Sequence, residues 1–461
     1  MAGAMRGGPG GPGGSKPSMR KALGVFENRN YRVLWVSTLF SFTGMGMQHV
    51  ARGLLAWQLT EDYGKTGAIA ASFGLPMLLF ALVGGSLADR LEKRNLTLMT
   101  QGTTAIVMLA TAMMITTDVI NFEILFAVGL LQGTFFALGM PARTPLMAEA
   151  VSPDQLMSAI AMSNAAMNFT RLLGPATVGA MLLVSGIDAV YYVQSGLYVV
   201  SFLLMFLVPT GLGVAHRARI AAAGGGAGGP GMGVRPQGSM VKEIGLGIAY
   251  AWGQPRLRLL LGMMFLITMV GMPHMMLLPG FVDETLGQGE SAFALLQMVA
   301  GAGGLVASLG VAAFTEFDRK PLVQWIAGLT GGVGLLILGF GSVAFGFGGA
   351  IFAVVVVGFA FTGYQTLNST MLMSEADPEY YGRVMSLMMM TFSGMSLVAA
   401  PLGMLADAIG PAETFVAEGA VIIVVLLVLG LANRRYTFGR QSTETFAQRQ
   451  EGAVAGGGGG G

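Results

Sequence analysis

The chain has 461 residues, of which 53% are hydrophobic and only 11% are charged, and its formal net charge is +2. Average soluble proteins carry about 25% charged residues, so this composition excludes a soluble enzyme, a nucleic-acid-binding protein and a disordered scaffold. The absence of cysteine excludes disulfides, zinc–thiolate sites, iron–sulfur clusters and a cysteine nucleophile. The class that remains is a polytopic α-helical membrane protein.

The two ends of the chain differ from its middle. Residues 1–30 are rich in glycine and proline and lack the apolar stretch of a signal peptide, so we predict a disordered cytosolic tail. Residues 433–461 end in a run of glycines and predict a second such tail. Between the tails we expect two six-helix halves, 31–209 and 257–432, separated by a cytosolic linker, 210–256.

Apolar windows long enough to cross a membrane recur along both halves. A helix needs about 20 apolar residues to cross the ~30 Å hydrocarbon layer. The predicted spans of the first half are 33–57, 67–88, 96–117, 122–141, 157–184 and 189–209. Those of the second half are 257–280, 291–314, 321–341, 345–373, 383–409 and 414–432. The sequence therefore predicts an all-α polytopic membrane protein with twelve transmembrane helices in two six-helix pseudo-repeats.

Basic residues orient these spans. If the N-terminus is cytosolic, arginine and lysine collect in the inside loops. The outside loops then contain acidic residues and a single basic residue, Lys65. This asymmetry is the positive-inside pattern, and it predicts that both termini are cytoplasmic. In the linker, Val241, Ile244, Ile248 and Trp252 form one apolar stripe at helical spacing, which predicts an interfacial helix on the inner leaflet.

The two halves repeat each other at an offset of 226 residues. The matched pairs are Arg32 and Arg258, Lys93-Arg94 and Arg319-Lys320, Glu149 and Glu375, and Pro175 and Pro401. Two six-helix halves of the same orientation form the architecture of a large class of secondary transporters, which place substrate between the halves and rock one half against the other.

Sequence motifs carry a resemblance to a known family. Gly85–Arg94 resembles the major facilitator superfamily signature G-x-L-A-D-R-x-G-R-K, and it departs from that pattern at Glu92. In the fifth span, Gly174, Pro175 and Gly179 resemble the helix-packing Gly-Pro motif of antiporters, although Val178 departs from it. In the fourth span, Leu131-Gln132-Gly133 resembles a third motif, but Gly129 stands where that motif has arginine.

With Gly382–Ser386 at the start of the eleventh span, the chain is most similar to the bacterial efflux branch that includes enterobactin and macrolide exporters. The resemblance implies a conformational latch at the inner ends of the helices. Asp89, with Arg90, Lys93 and Arg94, would contact the second half near Arg383 when the inner mouth closes. The alternative is a solvated inner loop that only obeys the positive-inside rule.

Arg171 is unusual because it lies near the middle of the fifth span. An arginine there costs at least ~2.5 kcal/mol and usually faces a cavity or a partner. Asn164 and Asn168 lie on the same helical face. These three residues are therefore candidates for the lining of a substrate cavity. The alternative is that Arg171 is a structural charge bonded to backbone carbonyls within the bundle.

His49 and His274 occupy near-equivalent places in the first and seventh spans, and Arg52 lies one turn beyond His49. Histidine titrates near neutral pH, so this set is our candidate for proton coupling. The alternative is that each histidine makes an ordinary hydrogen bond near its helix end. Asp407 and Glu418 are second-choice proton carriers.

Arg143 and Glu149 are predicted to lie in the turn after the fourth span, as an inner gate or as part of a solvated loop.

The leading hypothesis is a proton-coupled exporter of small apolar or amphipathic compounds in a bacterial inner membrane. An importer or uniporter of the same fold, or a non-transporting receptor or scaffold, are the alternatives. We expect no enzymatic activity, no cofactor, no metal and no nucleic-acid partner. The expected partners are a small-molecule substrate, protons and the lipid bilayer, and the expected state is a monomer.

Overall fold

The structure is a computed structural model that describes residues 24–152, 155–212, 240–313, 319–377 and 380–434. Helices make up nearly all of these residues, and no strand occurs among them. The fold is therefore all-α, as the sequence predicts.

The helices follow the order expected for two related halves. In the first half they are α1 Arg29–Thr60, α2 Tyr63–Arg90, α3 Lys93–Thr116, α4 Phe122–Glu149, α5 Leu156–Leu182 and α6 Ile187–Phe206. Helix α7, Met240–Gly253, lies in the linker. The second half begins with α8, Pro255–Thr285, which contains two π-helical turns. It continues with α9 Glu290–Ala313, α10 Lys320–Leu336, α11 Ser342–Glu375, α12 Tyr381–Ile409 and α13 Pro411–Ala432.

Many of these helices have the length and apolarity of membrane spans. Eight helical stretches among the described residues are long and apolar enough to cross a membrane, including α3, α6, α8 and α13. Helices α1, α2 and α5 have 32, 28 and 27 residues. At about 1.5 Å per residue, each of these three is also longer than the hydrocarbon layer is thick.

The long stretch Lys320–Glu375 is folded back on itself. Gly346 interrupts the helix with φ 60° and ψ −146°, a conformation that favours glycine. Gln324 and Asn368 lie equally far from Gly346 along the chain, and the Gln324 Nε2 donates to Asn368 Oδ1 at 2.5 Å. The stretch therefore forms an antiparallel pair of helices, and the sequence predicts this division within a few residues.

Close helix contacts between glycines hold α1 and α5 together in the first half. A Cβ on Gly174 would lie 2.6 Å from the carbonyl carbon of Gly46, so Gly174 has no room for a side chain, and a Cβ on Gly46 would lie a tight 3.1 Å from the Thr170 carbonyl oxygen. Gly179, one turn beyond Pro175, faces Met298 of α9 in the second half. The glycines of the fifth-span motif thus lie where helices approach closely, as small residues do in membrane bundles.

Helix α7 packs on the second half. The ring of Tyr250 stacks on that of Tyr380 with centroids 3.7 Å apart, and its hydroxyl donates to Asp377 Oδ2 at 2.8 Å. Partial burial raises the pKa of Tyr250, so this hydroxyl stays protonated at neutral pH. Ile248 and Trp252 of the apolar stripe point away from the protein and are exposed.

Candidate functional site

The two halves are joined at the end of the bundle where α1 ends and α2 begins. Side-chain hydrogen bonds cross from the first half to the second here: Trp57 Nε1 to Asp283 Oδ2 (2.9 Å), the Tyr63 hydroxyl to Glu284 Oε2 (3.0 Å), and Gln58 Nε2 to Glu290. We call this set, together with Asp407 and Gly64, the clasp. The acids all come from the second half.

Asp407 contributes two hydrogen bonds to the clasp. Its Oδ1 accepts from the backbone N–H of Tyr63 at 2.9 Å, and its Oδ2 accepts from the backbone N–H of Gly64 at 2.8 Å. These N–H groups begin α2 and have no partner within that helix. A carboxylate from α12 therefore caps a helix of the other half, where the positive end of the helix dipole favours it.

Below the clasp, α2 and α12 are packed backbone to backbone. A Cβ on Gly67 would lie 2.3 Å from the Ala399 carbonyl oxygen, and a Cβ on Gly74 would lie 2.3 Å from Ser396 Cβ. On the other side, a Cβ on Gly403 would lie 2.1 Å from the Tyr63 carbonyl oxygen. The halves therefore fit closely at this end, and the contact contains no covalent link.

A small cavity of about 20 Å³ lies between the halves beneath these contacts. Its lining comes from both halves and includes His49, Arg52, Phe73, Met276, Met395 and Ser396. Polarizable methionine and aromatic surfaces lie beside a few polar groups here, and in this closed state the cavity has room for about one water molecule. Both halves therefore contribute to this cavity.

Arg52 is buried, with 7% of its surface exposed, and it contacts neutral groups. It donates to Gln132 Oε1, which also accepts from Gln48 Nε2. The guanidinium lies over the Phe73 ring, 4.5 Å from its centroid, a favourable cation–π geometry. These contacts hold the Arg52 side chain between the cavity on one side and the interior of the first half on the other.

This network brings a guanidinium to the fourth-span motif, which lacks its own arginine. A Cβ on Gly129 would lie 1.9 Å from Ser72 Oγ, so any side chain at this position requires Ser72 to move. The guanidinium instead comes from Arg52 on α1 and meets Gln132 of the same motif. Sequence reasoning missed the Gln48 and Gln132 partners, although Gln132 stood out within the motif.

The structure does not bring the two histidines into equivalent environments. His49 is exposed and lines the cavity between the halves, where its ring lies 6.2 Å from that of Phe73. His274 is buried in the second half, and its Nδ1 contacts the Gly271 carbonyl oxygen at 2.5 Å. The hydrogen bond expected as the alternative is present for His274.

The location predicted for Arg143 is wrong. Helix α4 continues to Glu149, so Arg143 lies within the helix rather than in a turn after it. Pro141 and Pro145 lie inside α4, because neighbouring helices can stabilise a transmembrane helix around proline. Arg143 donates to Ser41 Oγ at 3.0 Å, whereas Glu149 pairs with Lys93 Nζ at 2.6 Å.

The described members of the predicted latch have partners of their own. Lys93 pairs with Glu149, and Arg94 Nε donates to the Val208 carbonyl at 2.6 Å, so both tie together helices of the first half. Arg383 lies over the Tyr380 ring at 4.8 Å. The side chains of Asp89, Arg90, Asn164, Asn168 and Arg171 lie outside the part of the chain that the structure describes.

The two second-choice proton carriers, Asp407 and Glu418, differ strongly in exposure and in hydrogen bonding. Asp407 is an exposed member of the clasp. Glu418 is 2% exposed within α13, and neither of its carboxyl oxygens has a hydrogen-bond partner among the described residues. An acid in this position is costly to ionise, since burial without a partner disfavours the charged form.

A family model for the Major Facilitator Superfamily matches residues 34–401. The chain belongs to this superfamily. The match covers most of both halves and confirms the resemblance carried by Gly85–Arg94. The superfamily consists of membrane transporters, so the class of protein follows from the match.

Curated relatives indicate which branch of the superfamily the chain resembles. The multidrug efflux pump Tap of Mycobacterium tuberculosis is 26% identical over 409 residues, which are 85% of this chain and 90% of that protein. Tap of Mycolicibacterium fortuitum is 24% identical over 408 residues, which are 86% and 92% of the two chains. The enterobactin exporter EntS of Shigella flexneri is 24% identical over 156 residues, 34% of this chain and 38% of that protein. The chain is thus a multi-pass bacterial membrane protein of the efflux branch.

Solved structures share the fold. The nucleoside transporter NupG is 14% identical with a TM-score of 0.67, and the alignment covers 87% of this chain and 98% of NupG. A POT family transporter is 12% identical with the same TM-score, and the alignment covers 89% and 97%. At these identities the similarity concerns the fold alone.

Proposed function

We propose that the protein is a proton-coupled exporter of small apolar or amphipathic compounds, which works by rocking its two halves around a central site. The observation that carries this proposal is the clasp. It is a closely packed contact made of hydrogen bonds and glycine backbones, directly above a cavity lined by both halves. Such a contact can separate without unfolding either half, as alternating access requires.

The topology that we propose has twelve crossings and cytoplasmic termini. The eight apolar stretches, the fold-back at Gly346 and the lengths of α1, α2 and α5 support twelve crossings. The basic loops support the orientation. In this orientation the clasp faces the periplasmic side of a bacterial inner membrane, α7 lies along the cytoplasmic leaflet, and the structure is closed to the outside.

Export and a broad substrate range rest on the relatives and on the cavity. Tap is named a multidrug efflux pump, and it aligns with 85% of this chain. Met276 and Met395 give the shared cavity a flexible apolar wall. Since the two halves of one chain form the cavity, a monomer is sufficient for transport.

His49, Arg52 and His274 are proposed to couple protons to transport. The exposed His49 faces the cavity beside Arg52, where movement of the halves would change its surroundings. We expect a His49→Gln/His274→Gln variant to lose most pH-driven transport while it still binds the transported compound. Transport would be measured in vesicles with and without an imposed pH gradient. Each single variant is the control, and full pH-driven transport by the double variant would remove the histidines from coupling.

The proposed latch at the cytoplasmic end of the bundle, which contains Asp89, leads to a second predicted loss of function. Asp89→Asn keeps the size of the side chain and removes its charge, so we expect transport to fall about tenfold or more while the protein remains folded, since an ionised hydrogen bond contributes about 1.5–3 kcal/mol. Transport rate and size-exclusion profile would be measured together. Arg29→Gln, an exposed change at the start of α1, is the control. Unchanged transport in Asp89→Asn would contradict the latch.

Inverted membrane vesicles test the proposed function as a whole. Vesicles that contain the protein would be energised to acidify their interior and followed with a pH-sensitive dye. Dyes, macrolides, siderophores and lipids would be added one at a time. We expect one class to trigger proton release from the vesicles, and Asp89→Asn vesicles to stay silent. Transport of a compound at the same rate with and without the gradient would indicate a uniporter instead.

A further inference from the structure

A second cavity, of about 30 Å³, lies wholly within the first half. Residues from α1, α2, α3, α4 and α6 enclose it, and its polar lining consists of Gln48, Thr100, Thr104, Gln132, Arg143 and Tyr198. Its volume exceeds the 10–15 Å³ that one water molecule requires, and it therefore accommodates a water-sized or slightly larger guest.

Among the described residues, the charge around this cavity is positive and has no acidic partner. Arg143 lines it directly, and Arg52 lies behind Gln132, whose amide oxygen it contacts. Neither arginine pairs with a carboxylate among the described residues, and none of the lining residues is acidic. Their neighbours are Ser41, Gln132 and the rings of Phe42 and Phe73. Arg52 is buried and Arg143 is partly buried. A charge taken out of water without a counter-charge is costly, so such groups are normally paired.

Tyr198 supplies an independent indication of a ligand. Tyr198 is 6% exposed and lines the cavity, and its hydroxyl makes no hydrogen bond with any described residue. Gly44 of α1 fixes the ring, because a Cβ at Gly44 would lie 2.9 Å from Tyr198 Cε2. The Tyr198 ring is therefore held in the same cavity lining as Arg143, and its hydroxyl is available as a donor there.

We infer that this cavity binds a monovalent anion, either a halide ion such as chloride or a carboxylate group of similar size, between Arg143 and Tyr198. The guanidinium and the hydroxyl donate hydrogen bonds to it, and Arg52 adds positive potential through Gln132. The anion supplies the counter-charge that the described residues lack. This site lies inside the first half, so it is distinct from the cavity between the halves and does not depend on the proposed direction of transport.

Thermal unfolding of the full chain in detergent tests the site without any transport assay. Sodium chloride would be titrated against sodium gluconate at constant ionic strength, with bromide and acetate as parallel arms. We expect the melting temperature to rise by about 2 °C or more and to saturate, as binding to the folded state requires. A response to chloride and bromide identifies a halide site, and a response to acetate alone identifies a carboxylate site.

Variants connect the response to these residues. Tyr198→Phe preserves the ring and should raise the half-saturating anion concentration about fivefold or more, which matches the loss of one hydrogen bond of about 1 kcal/mol. Arg143→Gln should abolish the response and Arg143→Lys should retain part of it. Tyr191→Phe, on the same helix but outside the cavity lining, should respond as the wild type does. No saturable response in the wild type, or an unchanged half-saturation in both Tyr198→Phe and Arg143→Gln, would overturn the inference.

Discussion

Replacing Asp407 by alanine should open the clasp. The variant loses two hydrogen bonds from a carboxylate to the backbone N–H groups of Tyr63 and Gly64. These bonds cross between the halves, so their loss destabilises the closed state and leaves the separated state unaffected. A loss of about 1.5–3 kcal/mol shifts the population tenfold or more toward the open state. Asp407 is exposed, so the lower end of this range is expected.

Cysteine labelling measures this shift directly, because the natural chain contains no cysteine. A single Met276→Cys change places a thiol in the cavity between the halves. A membrane-impermeant maleimide added to intact cells should react with it at least tenfold faster in the Asp407→Ala background. Asp188→Ala is the matched control, since Asp188 contacts Thr116 within the first half. Equal labelling rates in the Asp407→Ala and wild-type backgrounds would show that the clasp does not control access.

Replacing Gly67 by leucine should stop transport by preventing closure. The new Cβ would lie 2.3 Å from the Ala399 carbonyl oxygen, which is part of a helix backbone and cannot move aside. Overpacking of this kind costs about 1–3 kcal/mol or more, and the cost falls on the closed state alone because α2 and α12 separate when the clasp opens. We expect a transport rate at least tenfold below that of the wild type in the vesicle assay.

Gly196→Leu is the matched control for this substitution. Gly196 lies on α6, and a Cβ there meets no atom within 4 Å, so the same added side chain should be accommodated. Both variants would be compared with the wild type by size-exclusion chromatography, to separate loss of transport from loss of folding. Wild-type transport by a folded Gly67→Leu protein would contradict tight closure along α2 and α12.

Much of the architecture could be predicted because the membrane imposes strong rules on a sequence. Apolar length marks crossings, basic loops indicate sides, and the 226-residue repeat predicts two related halves. The motif Gly85–Arg94 was sufficient to identify the superfamily that the family match confirms. The stretch from residue 320 to residue 375 reads as one long apolar run, and its predicted division after residue 341 lies within a few residues of the break at Gly346.

The site residues were harder to predict because side-chain direction and helix ends depend on packing. Pro141 and Pro145 suggested that α4 ends early, yet the helix continues and turns Arg143 toward Ser41. The symmetry of the two histidines in sequence is lost in space, since His274 is buried within its own half whereas His49 is exposed and lines the cavity between the halves. In the sequence, Asp283 and Glu284 have only the pattern of ordinary outside-loop charges. Their role in the clasp depends on partners more than 200 residues away, which periodicity does not reveal.

The central claim is that transport requires the clasp to open and close, and a reversible crosslink tests it most directly. A Cβ on Gly64 would lie 3.2 Å from Met404 Cγ, so Gly64→Cys with Met404→Cys places two thiols within disulfide reach across the halves. The control pair is Ala307→Cys with Gly363→Cys. Both positions lie within the second half, and their Cβ positions are 3.5 Å apart.

Both pairs would be oxidised in vesicles and assayed with the compound that releases protons in the wild type. The account predicts that the crosslink between Cys substitutions at Gly64 and Met404 stops transport and that a reductant restores it, while the pair within the second half transports at the wild-type rate before and after oxidation. Wild-type transport by protein that is fully crosslinked across the clasp would contradict rocking of the two halves.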